Sequence, residues 1–83
     1  MTNENSPFSP LKKQVGGNHY KEMAIQPIEF IVKNRIPYIE GNIIKYACRH
    51  REKNGAEDIK KIIHYAELLL ELEYGGEKQN ETA

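Results

Sequence analysis

The last helical stretch, Ala56 to about Tyr74, constrains this chain more than any other segment. Its apolar residues recur at helical spacing on two faces. Ile59, Ile62, Ile63, Ala66, Leu69, Leu70 and Tyr74 form one face, and Tyr65, Leu68 and Leu72 form a second. Only Lys60, His64, Glu67 and Glu71 make a continuous polar strip. An ordinary surface helix carries a single apolar stripe, so a helix apolar over this much of its circumference needs cover on more than one side. Two shorter helices upstream do not supply that cover. The pattern therefore predicts a homo-oligomer, most simply one that packs the last helices together. The alternative is a fixed partner protein with a similar surface.

The rest of the chain reads backwards from that helix. Asn54-Gly55 breaks the preceding helix and reverses the chain, and Glu57 and Asp58 sit favourably at the positive end of the last helix. Upstream, Pro27 suits a first helical turn. Ile28, Ile31 and Val32 recur at helical spacing, Glu29 and Lys33 form an i,i+4 pair, and Asn34 closes the helix. Ile36-Pro37 forces a turn, because the residue before proline disfavours helix. The reading is an all-α, three-helix domain with helices near 27–34, 39–53 and 56–74, completed by oligomerisation. Residues 14–74 form the domain, which opens with an N-terminal Gly-Gly loop. Polar stretches at 1–13 and 75–83 read as disordered tails.

The central helix carries the most distinctive chemistry. At 3.6 residues per turn, Asn42, Lys45, Tyr46, Arg49 and Lys53 fall within roughly a 100° arc. Ile39, Ile43, Ala47 and His50 lie beside it, and Ile44 and Cys48 widen the apolar side. Cys48 is expected in the core. The arc offers an amide, a phenol and three cations, which suits an anion such as phosphate. A solvated basic face is the ordinary alternative. Earlier in the chain, Val15-Gly16-Gly17-Asn18-His19-Tyr20 places two glycines before two rings with hydrogen-bonding tips. Glycine amides permit close approach to a ligand. The segment reads as a clamp for a nucleotide base or phosphate, or as a turn with Tyr20 plugging the core.

Composition narrows the choices. The 83 residues make one domain, with 12 basic and 12 acidic side chains and zero formal net charge. That balance argues against a general nucleic-acid or membrane-surface binder. One cysteine excludes an internal disulfide and fits a reducing, cytoplasmic setting. No apolar run reaches membrane length. The glycine motifs of nucleotide-binding loops are absent, and the histidines and cysteine lack metal-ligand spacing. The expectation is no resident cofactor or metal, with magnesium arriving only alongside a bound nucleotide.

The blocks VGGNHY, IQPIEFI and EGNIIKYACRHREKNGAEDIKKIIHYAELL, spanning about residues 14–72, resemble the SaV-like family of small phage proteins. That family includes a phage nucleotide kinase with similar HY, GN-x-x-KY-x-x-R and D-[LI]-x-K-A patterns and with further N-terminal sequence that this chain lacks. The resemblance implies roles for His19, Tyr20, Gly41, Asn42, Lys45, Tyr46, Arg49 and Asp58. Ile62 stands where the family often has alanine. The candidate ligand-binding residues are Gly16, Gly17, Asn18, His19, Tyr20, Asn42, Lys45, Tyr46, Arg49 and Lys53. Two functions follow: a phage-type nucleotide-binding phosphotransferase acting on a nucleoside monophosphate, or a non-catalytic protein that sequesters a nucleotide such as a host defence signal. A third is an adaptor that binds a host protein.

Overall fold

The computed structural model describes residues 8–12, 20 and 22–76. Among them the chain is all-α, as the periodicity predicts. A 3-10 turn, Pro10–Lys12, precedes three α-helices: α1 (Pro27–Lys33), α2 (Tyr38–Arg49) and α3 (Ala56–Tyr74). A second 3-10 turn, His50–Glu52, follows α2 directly.

Helix α1 begins where proline fixes the backbone, and Gln26 O accepts from the amides of Glu29 and Phe30 at 3.0 and 3.2 Å. Lys33 pairs with Glu29 at 3.2 Å. The helix closes with two reciprocal bonds. Ile36 N–H donates to Ile31 O at 3.0 Å and Arg35 N–H to Val32 O at 3.1 Å. This closure places a left-handed residue after the cap, usually glycine; here it is Arg35, at φ 55°. Asn34 contributes as expected, its side-chain amide donating to Phe30 O at 2.9 Å.

Seven residues are too few to hold a helix by propensity alone. Helix α1 is held by leaning on α2 at Gly41, which is buried. A Cβ at Gly41 would lie 3.1 Å from Ile31 Cγ2, so glycine permits this approach. The 3-10 turn is tied to the same place. Ser9 is buried and its hydroxyl accepts from Leu11 N–H at 3.2 Å, while Gln26 Nε2 donates to Leu11 O. Pro10–Lys12 lies within the stretch expected to be a loose tail; this anchorage gives it a fixed place.

Helices α2 and α3 make the main tertiary contact of the chain. The turn between them closes through Gly55, at φ 55°, whose amide donates to His50 O at 2.8 Å. The central helix is therefore α-helical only to Arg49, and the last turn expected through Lys53 is tightened into 3-10 form. Helix α3 ends at Gly75, left-handed at φ 81°, with Gly76 N–H donating to Leu70 O at 3.0 Å.

Among the described residues no hydrophobic side chain is closed off into a core. Among the described residues only Ser9, Pro27, Gly41 and Asp58 are buried. Cys48, expected in the core, is exposed. It lies on the Gly41 side of α2 two turns further on, beyond the point where the short α1 makes its contact. Ile28, Val32, Ile63 and Leu72 are each more than half exposed. No helix among the described residues is long and apolar enough to cross a membrane.

Candidate ligand site

Three elements that are weak alone enclose a groove of about 650 Å³. The 3-10 turn supplies Pro10 and Leu11, α1 supplies Ile28, Ile31 and Val32, and α2 supplies Tyr38, Gly41, Asn42 and Lys45, with Tyr20 and Ile36 completing the wall. Ligand pockets run from about 300 to 1,000 Å³ with mostly apolar walls and a few polar groups, and this groove matches that description. Gly41 forms part of its floor, where a side chain would press on Ile31.

Lys45 is where the groove meets a second feature. Its ammonium lies 5.3 Å from the centre of the Tyr46 ring. Arg49 and Lys61 approach the same ring at 4.7 and 5.0 Å. Tyr46 stacks on Tyr65 of α3, with ring centres 6.1 Å apart and planes 16° from parallel. One tyrosine thus gathers three cations, each favoured by the electron-rich ring face.

The three cations differ in what else they hold. Arg49 Nε and Nη2 donate to the two carboxylate oxygens of Asp58, each at 3.2 Å. Asp58 is fully shielded from solvent, at 0% exposure, in the first turn of α3. It also accepts from Asn54 N–H at 3.4 Å and faces Lys61 at 3.8 Å. An acidic residue at the third helical position that reaches back to an upstream amide resembles half of a capping box. Arg49 holds the Asp58 carboxyl below the usual aspartate range, against the opposing effect of burial. Asp58 in turn raises the Arg49 pKa. Lys45 makes no ion pair among the described residues and is half-buried at the groove wall.

Tyr20 lines the groove, with its hydroxyl oxygen buried. Burial pushes its phenol pKa up, while the nearby Arg49 charge opposes that rise. Burial likewise raises the Tyr65 pKa, with Tyr38 and Tyr46 adding to it.

The candidate residues thus divide. Tyr20, Asn42 and Lys45 line one groove, and Tyr46 and Arg49 stand beside it. The Asn42 side-chain amide donates to Tyr38 O at 3.0 Å, a bond within its own helix. Lys53 is exposed beyond the 3-10 turn, where the helical spacing that aligned it with Lys45 no longer applies. Gly16, Gly17, Asn18 and His19 lie outside the described residues. The sequence reading missed Lys61, whose signal was its position three residues after Asp58. It also missed the groove walls, which come from segments distant in sequence.

Among the described residues, no group of three or more histidine, cysteine or acidic side chains is placed to hold a metal ion. A family model described as protein of unknown function, DUF3310, matches residues 12–67. No curated protein and no solved structure matches the chain.

Proposed function

We propose that this chain, which belongs to the DUF3310 family, binds a nucleotide or nucleotide-derived small molecule in the groove between α1 and α2. The observation that supports this most is Lys45, a half-buried cation without an ionic partner among the described residues, set in a mostly apolar wall. A flat base fits beside Ile28 and Val32, and a phosphate fits at Lys45, within reach of the positive field of Arg49 and Lys61. Tyr20 adds a ring to the groove lining. The groove's size and the cluster's charge favour a small anionic ligand over a nucleic acid, given zero net charge overall.

The resemblance to small phage proteins, one of them a nucleotide kinase, makes a nucleoside monophosphate the first ligand to test and phosphoryl transfer the first reaction. It also implies a place in the host cytoplasm. Magnesium would enter with the nucleotide phosphates rather than by a protein cluster. One observation favours binding without turnover: Arg49, the natural group to offset transition-state charge, is already engaged by Asp58. In that second reading the protein sequesters a nucleotide, such as a host defence signal. The apolar surface left open on each chain makes self-association part of the proposal, with an adaptor role towards a host protein as its competitor.

The test is a calorimetric titration with mono-, di-, tri- and cyclic nucleotides, followed by chromatography of the ligand. Stoichiometric binding supports the site. Recovery of an intact ligand supports sequestration, and a newly phosphorylated one supports transfer. No binding by any class, on a folded protein, rejects the groove as a nucleotide site.

A further inference from the structure

The covered and open faces of α3 differ by roughly 100° at 100° per residue. Ile62, Tyr65 and Leu69 lie on the half-buried side with Asp58, towards α2. Ile59, Ile63, Ala66 and Leu70 form the next stripe round. Ile59 is 38% and Ile63 54% exposed, Ala66 is exposed and Leu70 half-buried. Their spacing of four, three and four residues is that of a two-helix seam.

We infer that this stripe is the contact with a second copy of the chain, and that the two α3 helices run antiparallel about a twofold axis between His64 and Tyr65. In that register Ile59 layers on the partner's Leu70, and Ile63 layers on the partner's Ala66. The large residue faces the small one in the central layers, which lets the helices approach closely. On the outer flank Lys60 faces the partner's Glu67, and the twofold axis repeats the pair. On the inner flank Ile62 faces the partner's Leu69, which extends each α2–α3 contact across the dimer. The product is a four-helix assembly of α2, α3 and their partner copies, and it covers apolar surface that a single chain leaves open.

The direction follows from charge. The second half of α3 carries Glu67, Glu71 and Glu73 with no basic residue in its last turn, while in the first half Lys60 and Lys61 balance Glu57 and Asp58. A parallel pair sets the two acidic ends side by side and opposes Glu67 to the partner's Ile62. An antiparallel pair sets each acidic end beside the positive end of the other helix. This inference specifies the self-association proposed above and stands apart from what the groove holds.

The test is a charge-reversal cycle on the full chain, read by analytical ultracentrifugation with helicity checked by circular dichroism. Lys60→Glu and Glu67→Lys each sit on exposed positions and should leave the fold intact. Wild type should dimerise. Each single reversal should weaken the dimer about tenfold or more, because each places like charges together twice. The double reversal should restore affinity to within about threefold. A wild type that stays monomeric overturns self-association as a whole. A dimer indifferent to both single reversals, or not restored by the double, overturns the antiparallel register alone. Nucleotide binding enters none of these outcomes.

Discussion

The two ends of α2 contrast. At its C-terminal end, Arg49 closes a clasp on the fully shielded Asp58 across the turn into α3. Nearer its N-terminal end, Gly41, Asn42 and Lys45 face an open groove whose walls are partly exposed. Both ends draw on the same polar arc. A charge with a buried partner is a structural element, because removing one side strands the other. A charge without such a partner, on the wall of a groove, is available to a ligand. The contrast therefore assigns opposite roles to two cations four residues apart.

The largest predicted effect breaks the clasp. Arg49→Ala leaves Asp58 shielded with only Lys61 and Asn54 N–H, and should cost about 3 kcal/mol in chemical denaturation. A domain this size is stable by only about 0.05–0.15 kcal/mol per residue, so that loss approaches unfolding. An Arg49→Ala protein as stable as wild type would remove the structural half of the comparison.

Next in size is the close approach at the groove floor. Gly41→Val should destabilise by about 1–3 kcal/mol, because its side chain must displace Ile31 and with it α1. Gly41→Ala should be near neutral, since a gain of about 1 kcal/mol in helix propensity offsets a displacement of a few tenths of an ångström. Thermal melts of both variants check this; equal stability would show that α1 is not seated on Gly41.

The clasp also sets an acid dependence. The folded Asp58 pKa lies below the unfolded value, so its contribution is complete above the ordinary aspartate range. It is lost as the pH falls through the lower folded value. Wild-type stability should therefore fall on acidification more steeply than that of Asp58→Asn, which cannot titrate there. Parallel acid titrations of the two proteins would contradict the ion-pair assignment.

The smallest effect sharpens the groove side. Arg35 sits at φ 55°, a left-handed conformation that costs a non-glycine residue about 1–2 kcal/mol. Arg35→Gly removes that cost but adds unfolded-state freedom, for a net gain of about 0.5 kcal/mol. A loss of stability on that change would mean that the Arg35 side chain contributes more than its backbone strain removes.

Much of the fold was legible because local signals agree with one another. Pro27 and Pro37 start two helices, Asn54-Gly55 separates the second from the third, and the apolar spacing of Ile59 to Tyr74 marks the longest. The end of α2 was less legible. Helical spacing carried it to Lys53, but the Gly55–His50 bond and the Arg49–Asp58 clasp tighten the turn after Arg49, and both cross a chain reversal. Cys48 was misplaced because an apolar arc shows which side a residue faces, not whether a short neighbour reaches far enough to cover it. The arc around Lys45 was visible as a cationic face. Which of its cations already had a partner depended on Asp58, nine residues beyond Arg49. The groove depended on Gln26 holding the Pro10–Lys12 turn, a contact without any spacing signal.

Lys45 and Arg49 thus divide the labour between ligand and fold. The most direct test of that division is a calorimetric nucleotide titration of Lys45→Ala alongside its denaturation curve. The account predicts wild-type stability within about 0.5 kcal/mol, as for a surface change, with binding weakened about tenfold or more by loss of a charge-assisted phosphate contact. Unchanged affinity for a nucleotide that wild type binds, or unfolding on removal of Lys45, would contradict it.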